Sequence, residues 1–454
     1  MDHVDVKTQA SDFVVHTFGC KVNTYDSGLI QKNLKQNSTH TLNDGKESAP
    51  AKIHILNTCA VTSEATQQAV RMIRKIKSTQ PFSTIVVTGC AAQVDTDSFK
   101  NLPGADLVVA NSHKGLLPQI LDQYFKGEVK DKVFKSNIFH KEELEADGGT
   151  ENVHTRSFLK IQDGCNSFCT FCIIPYARGK SRSIPIQILV QKIKELEAQD
   201  IKEVVLTGVH IGDYEDQVLG QKKYLEDLVE AVLQRTTIGR IRLSSLEPIE
   251  VSPRLLELYS NPRLCPHFHM SIQSADTEVL AGMKRKYTSE QVQDALHKIS
   301  EKVPGVFVGM DVIAGFPTET DEQFENTYKV LAETPWTRLH VFPYSERTGT
   351  RAVALKQIPF HKRKERAARL RELSLHRHQS EALKHVGTVK QTLIFNTTST
   401  KTDGLSHDYW PVKLDLGDQD RLVLNNQVRA VKIYDVQLTN SDVILLGRLV
   451  HAEN

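Results

Sequence analysis

Residues Ile161–Ser183 read IQDGCNSFCTFCIIPYARGKSRS. The run Phe158–Ile161 before them has strand character, and Pro185–Gln199 after them has helical spacing. Cys165, Cys169 and Cys172 therefore lie on a loop leaving the C-terminal end of a strand. Ligands bind at that edge in parallel α/β architectures. Intervals of three and two residues let one loop wrap a compact inorganic core with three thiolates. A [4Fe–4S] cluster takes four ligands, so three leave one iron open, as a reactive site requires. Structural zinc is the alternative. It wants a closed set of four ligands, yet the loop offers no further Cys or His, and His154 precedes the strand.

Outward from this loop, strand candidates recur at Glu203–Thr207, Arg240–Ser244, His267–Ile272, Val306–Ile313 and Leu339–Pro343. Helical patterns such as Thr288–Lys302 separate them. With Phe158–Ile161 they make six strand–helix units, which fit a partial (βα)6 barrel better than a closed eight-unit one. Upstream, Phe13–Phe18, Lys52–Asn57 and Thr84–Thr88 alternate with helical stretches such as Thr62–Lys77, the pattern of a parallel sheet with helices on its faces. Downstream, His361–His385 is a basic helix with eight Lys/Arg against three Glu. From Gly387 to about Val450 only short strands remain (Val389–Phe395, Val412–Leu416, Gln427–Ile433, Val443–Leu449), as in a small all-β barrel. The α/β chain thus divides into residues 12–125, an acidic, Gly-containing linker at 126–150, a core at 151–385 and a β domain at 386–450.

Three further cysteines, Cys20, Cys59 and Cys90, each end a predicted strand: FVVHTFGC, KIHILNTC and TIVVTGC. They stand 39 and 31 residues apart, about one βα unit each. A parallel sheet brings all three to one edge, a second three-thiol site. Packing of small apolar residues is the alternative. Cys265 precedes the strand HFHMSI with no partner thiol near it and reads as packing.

At 454 residues the chain can bury a core without disulfides. Its net charge is +2, so any nucleic-acid site must be a local patch. No apolar run approaches a membrane span, and the N-terminus lacks the regions of a signal peptide. A cytoplasmic enzyme with no membrane partner is expected, in a compartment where thiols stay reduced.

C-x3-C-x2-C with an aromatic before the last Cys resembles the radical SAM signature, and the full string Ile161–Ser183 resembles that of the methylthiotransferases. The resemblance implies that a cluster on Cys165, Cys169 and Cys172 binds S-adenosylmethionine at its open iron and that one electron cleaves it to a 5′-deoxyadenosyl radical, the protein holding and shielding the cofactor. The strings TFGCKVN (Thr17–Asn23), LNTCAVT (Leu56–Thr62) and TGCAAQ (Thr88–Gln93) resemble the family's three N-terminal motifs. They imply a second [4Fe–4S] cluster on Cys20, Cys59 and Cys90 that holds or yields sulfur. By the same resemblance Phe171, Gly208, Ser244, Gln273, Ile313 and Gly315 line the S-adenosylmethionine pocket, although each also suits packing or a turn. His210 reads as a polar contact or a satisfied structural histidine. Ala275 and Thr318 stand where the family usually has Gly.

The β end resembles a TRAM domain, an OB-like RNA-binding module. Tyr409, Trp410 and Arg429 are candidate RNA contacts, with Trp410 equally suited to a core. The helix His361–His385 and the group Arg71, Arg74, Lys75 and Lys77 are candidate basic faces or plain solvated ones. The strings GCKVN (Gly19–Asn23), LTGVH (Leu206–His210) and HVFPYS (His340–Ser345) look most like the branch acting on threonylcarbamoyladenosine. The expected reaction is methylthiolation at C2 of that nucleoside at position 37 of tRNA, with the tRNA anticodon stem-loop, S-adenosylmethionine and a one-electron reductant as partners. Isopentenyladenosine in tRNA is the competing substrate, and a zinc-bearing RNA-binding protein the competing class.

Overall fold

In the computed structural model the described residues are 13–37, 51–141, 144, 155–395, 402–416, 422–439 and 442–450. The N-terminal sheet is parallel, in the order β1 (Phe13–Thr17), β2 (Ile53–Thr58), β3 (Thr84–Gly89), β4 (Leu107–Ala110), β5 (Val133–Phe134). Strands β2 to β4 are buried along nearly their whole length, as expected of a sheet covered on both faces. Helix α1 (Lys21–Asn37) follows β1 and α2 (Ser63–Thr79) follows β2. The Thr62 hydroxyl caps α2 by accepting from the Ala65 amide. The fifth strand lies within the expected linker 126–150: residues 133–134 pair with β4 in this sheet. Most of the acidic segment Lys141–Glu151 lies outside the described residues.

Six parallel strands form the central domain: β6 (Arg156–Lys160), β7 (Glu203–Thr207), β8 (Arg240–Leu243), β9 (His267–Gln273), β10 (Phe307–Ala314) and β11 (Arg338–Pro343). β7 pairs with both β6 and β8. Ser245-Leu246, just past β8, pairs with β9, which continues to β10 and β11. The edge strands β6 and β11 do not pair, so the barrel is open, as the six units predicted. Its apolar core lies between strands and surrounding helices.

The C-terminal strands β12 (Val389–Phe395), β13 (Asp403–Ser406), β14 (Pro411–Asp415), β15 (Val428–Leu438) and β16 (Val443–Leu449) close into a barrel in the order β12-β13-β14-β16-β15. Two RNA-contact expectations fail here. Trp410 is 2% exposed and packs against Phe307, His378 and His385. The Tyr409 ring lies 3.8 Å from that of His267 and under the Arg242 guanidinium. Both serve the joint between barrels, while Arg429 is exposed.

The basic helix Phe360–Leu383 is likewise a strut packed against β11 and the small barrel. Arg363 and Arg366 are buried, with carboxylates at Glu346 and Glu319. Lys362, Arg369 and Lys384 pair with Asp321, Glu325 and Glu381. Its charge is therefore largely spent within the chain. Trp410→Ala is expected to cost about 3–5 kcal/mol through the cavity it leaves at the joint, measured by denaturant unfolding.

Candidate active site between the N-terminal sheet and the open barrel

Strand register assembles the first thiol trio. Thr17 lies opposite Asn57, Asn57 opposite Thr88, and Thr58 opposite Gly89. The three chains leave the sheet side by side, carrying Cys20, Cys59 and Cys90 to one edge. The exits are tight. Gly19 and Gly89 both have φ +94°, and a Cβ on Gly19 would fall 2.6 Å from the Cys59 sulfur. Only glycine fits this conformation and this approach. Asn23 ties the loops, donating to Phe18 O (2.7 Å) and Thr58 O (3.0 Å), while Asn57 donates to Asn23 O (2.9 Å). Cys59 and Cys90 are buried and Cys20 exposed. Burial, then the neighbouring Cys90 and Cys20, push the Cys59 thiol up to about 12.

The second trio sits on the loop between β6 and α3 (Ile174–Arg178). The Cys165 amide donates to Gly179 O (3.1 Å) and the Cys172 amide to Cys169 O (3.0 Å). Thr170 bonds to the backbone of Met283 and Ala352, which fixes the loop over the barrel mouth. Burial and the charges of Cys169 and Cys165 push the Cys172 thiol up to about 12. Burial would raise Cys165 too. Instead His210, whose Nδ1 is 3.8 Å from its sulfur, and the Ser167 amide (3.4 Å) hold it below the ordinary thiol value.

His210 is the residue whose importance was least legible. Burial opposes its charge, but Asp213 (3.2 Å), Cys165 and Glu250 (2.5 Å) raise it far above the ordinary imidazole range. Its two ring nitrogens face Asp213 and Glu250, and its Nδ1, the Cys165 sulfur and an Asp213 oxygen lie within 4.8 Å of one another, close enough to hold a metal ion. Arg285 pairs with Glu247 beside it.

The other expected cofactor residues are dispersed around the barrel mouth. Gly208 follows β7, where a Cβ would meet Gln162 O at 2.9 Å. The Ser244 hydroxyl is buried with no hydrogen-bond partner. Gln273 ends β9 in a left-handed turn, φ +63°. Ile313 is half-buried on β10. Phe171 joins the apolar group of Val279, Met283 and Phe316, with Arg285 5.8 Å from its ring. Gly315 has φ +73°, and its Cβ position is filled by Arg363. Of the two departures, Ala275 is simply buried, whereas Thr318 holds φ +72°. Cys265 is fully buried, as packing requires, with its sulfur 3.5 Å from His407 Nδ1.

Thiols that raise one another are relieved by a metal core that draws off their protons. Each trio could therefore hold an iron–sulfur cluster. The unpartnered Ser244 hydroxyl and Arg285 Nε near the second trio could meet a polar cofactor.

The radical SAM superfamily profile matches residues 159–331, and that of an uncharacterised protein family, UPF0004, matches residues 12–110. A threonylcarbamoyladenosine tRNA methylthiotransferase MtaB from Rickettsia prowazekii (strain Madrid E) is 37% identical over 418 residues, covering 91% of this chain and 94% of its own. The chain belongs to the MtaB type of the radical SAM methylthiotransferases. The MtaB of Bacillus subtilis (strain 168) is 36% identical over 79% of each chain. A tRNA-2-methylthio-N(6)-dimethylallyladenosine synthase from Geobacillus kaustophilus (strain HTA426) is 31% identical over 87% of this chain and 75% of its own. In fold, this MtaB-type chain is similar to the radical S-adenosylmethionine methyltransferase TsrM from Kitasatospora setae, with TM-score 0.56 at 13% identity, over 76% of this chain and 77% of that one. Membership makes this an enzyme that uses S-adenosylmethionine and two [4Fe–4S] clusters.

A β-branched residue at positive φ is strained. Thr318→Gly is expected to stabilise the chain by about 0.5–1 kcal/mol after the entropy of glycine is subtracted, read as a higher Tm.

Proposed function

We propose that this MtaB-type enzyme inserts a methylthio group at C2 of N6-threonylcarbamoyladenosine at position 37 of tRNA. The observation that carries the reading is the pair of three-thiol sites, one at the edge of the N-terminal sheet and one at the mouth of the barrel, in a chain 37% identical over 91% and 85% of its length to two relatives named for that reaction. Cys165, Cys169 and Cys172 hold one [4Fe–4S] cluster, and Cys20, Cys59 and Cys90 hold the other. The chemistry supplied at the first is one-electron cleavage of S-adenosylmethionine and radical activation of the C2–H bond. The chain's own residues do the rest. His210 and the Ser167 amide keep Cys165 ready to bind as thiolate. Ser244, Gln273, Gly208 and Ile313 orient the cofactor at the strand ends, and Phe171 and Arg285 close the mouth against water.

The anticodon stem-loop supplies the nucleoside, and a one-electron reductant feeds the radical site. No helix among the described residues is long and apolar enough to cross a membrane. Arg74, Lys75 and Arg429 are exposed and serve as RNA contacts.

Nucleoside analysis by mass spectrometry in a deletion strain is expected to lose methylthio-threonylcarbamoyladenosine. Loss of the methylthio-isopentenyl nucleoside instead would assign the other substrate. Cys169→Ala is expected to abolish release of 5′-deoxyadenosine from S-adenosylmethionine, measured by chromatography. In Gly89→Ala the added Cβ meets Thr58 O at 2.4 Å, so roughly half of the reconstituted iron should be lost, read by iron assay.

A further inference from the structure

Six residues beyond Cys172, at the end of α3, Arg178 is 3% exposed. Each edge of its guanidinium is committed. Nη1 donates to both Asp163 oxygens (2.9 and 3.1 Å). Nη2 donates to Asn23 Oδ1 (2.6 Å) and Asp26 Oδ2 (3.0 Å). Nε points at the Cys90 sulfur, 3.2 Å away. Asp163 lies two residues before Cys165, whereas Asn23 and Asp26 lie on α1, just after Cys20. One side chain thus touches the loop of each trio and one of the sulfurs.

Further charges share its partners. Asp26 also takes Lys160 (2.7 Å) and Lys114 (3.0 Å), and Lys160 reaches Asp163 (3.2 Å). In these contacts, among the described residues, three cations share two carboxylates, each side chain at most 10% exposed, one positive charge more than negative. A buried charge without a counter-charge is costly. The group facing the excess is Cys90, which also receives a weaker contact from Asn111 Nδ2 at 3.6 Å. A metal core held by Cys90 would set a thiolate directly against the guanidinium.

We infer that Arg178 is a positioning residue for the cluster on Cys20, Cys59 and Cys90. It donates an N–H···S hydrogen bond to the Cys90 thiolate, raises the reduction potential of that cluster, and fixes its separation from the radical site through Asp163. The inference rests on the assignment of that trio as a cluster site. Net charge and hydrogen bonds to sulfur set such potentials, and a donor or a cation favours the reduced, more negative state.

The test uses the full chain carrying Cys165→Ala, Cys169→Ala and Cys172→Ala, reconstituted without oxygen from ferrous iron and sulfide, so that only the N-terminal trio can load. The midpoint potential and EPR g-values are compared with Arg178 intact, as Arg178→Lys and as Arg178→Gln. A more negative midpoint in Arg178→Gln and an intermediate one in Arg178→Lys are expected, since lysine keeps the charge but not the fork. Wild-type midpoints and g-values in variants that load iron would overturn the inference and leave the cluster assignment standing. A chain with Arg178 intact that takes up no iron would overturn both. Should Arg178→Gln fail to load, Arg178→Lys decides by the same criterion. Pulsed EPR of the Arg178-intact chain grown on 15N-arginine needs no variant at this position. A 15N coupling at the cluster is expected, and its absence would refute the hydrogen bond.

Discussion

Two domains meet here through buried charge rather than through an apolar interface alone. Asp26 of the N-terminal domain takes Lys160 and Arg178 from the barrel and Lys114 from its own domain. Removing the Asp26 carboxylate would strand its cations away from water, at a cost of several kcal/mol. Such an arrangement tolerates only one geometry, because charge-assisted bonds weaken quickly when displaced. The same joint has a second clasp. Arg347, beyond β11, donates to Ala60 O and Thr62 O (2.7 Å each), on the segment directly after Cys59. The two arginines grip the N-terminal sheet beside two of its three cysteines, so the alignment of the domains and of the thiol sites is a single constraint.

Much of this could be read in advance. Cysteines at the ends of three strand runs needed only parallel pairing to converge, and the register of β1, β2 and β3 delivers it. Six strand–helix units gave an open barrel because each strand is short, apolar and bounded by polar turns. Three strands escaped, the two-residue Val133–Phe134 among them. Leu107–Ala110 is only four residues long, and Asp403–Ser406 contains Asp, Gly and Ser, which have low strand preference.

The charged residues were the least legible. Lys160 and Asp26 are 134 positions apart, and Arg178 and Asp26 are 152 apart. No local pattern reports such pairings, so a lone Lys or Arg in the sequence looks like surface. The basic helix misleads for the same reason, since its partners Glu319, Asp321 and Glu325 sit on other elements. His210 resembled a structural histidine because Asp213 is its only near neighbour in sequence, while Glu250 arrives from beyond β8. Tyr409 and Trp410 looked like RNA platforms because a turn hides which face a strand presents.

One remaining contact governs how the molecule can handle a long polynucleotide. Arg240 donates to Leu405 O and Ser406 O, and Arg242 also donates to Ser406 O, while both guanidiniums stay paired with Glu203 at the foot of the large barrel. The small barrel is bolted down rather than hung on a hinge. Whatever is seated on it therefore stays at a set distance from the strand ends of the large barrel.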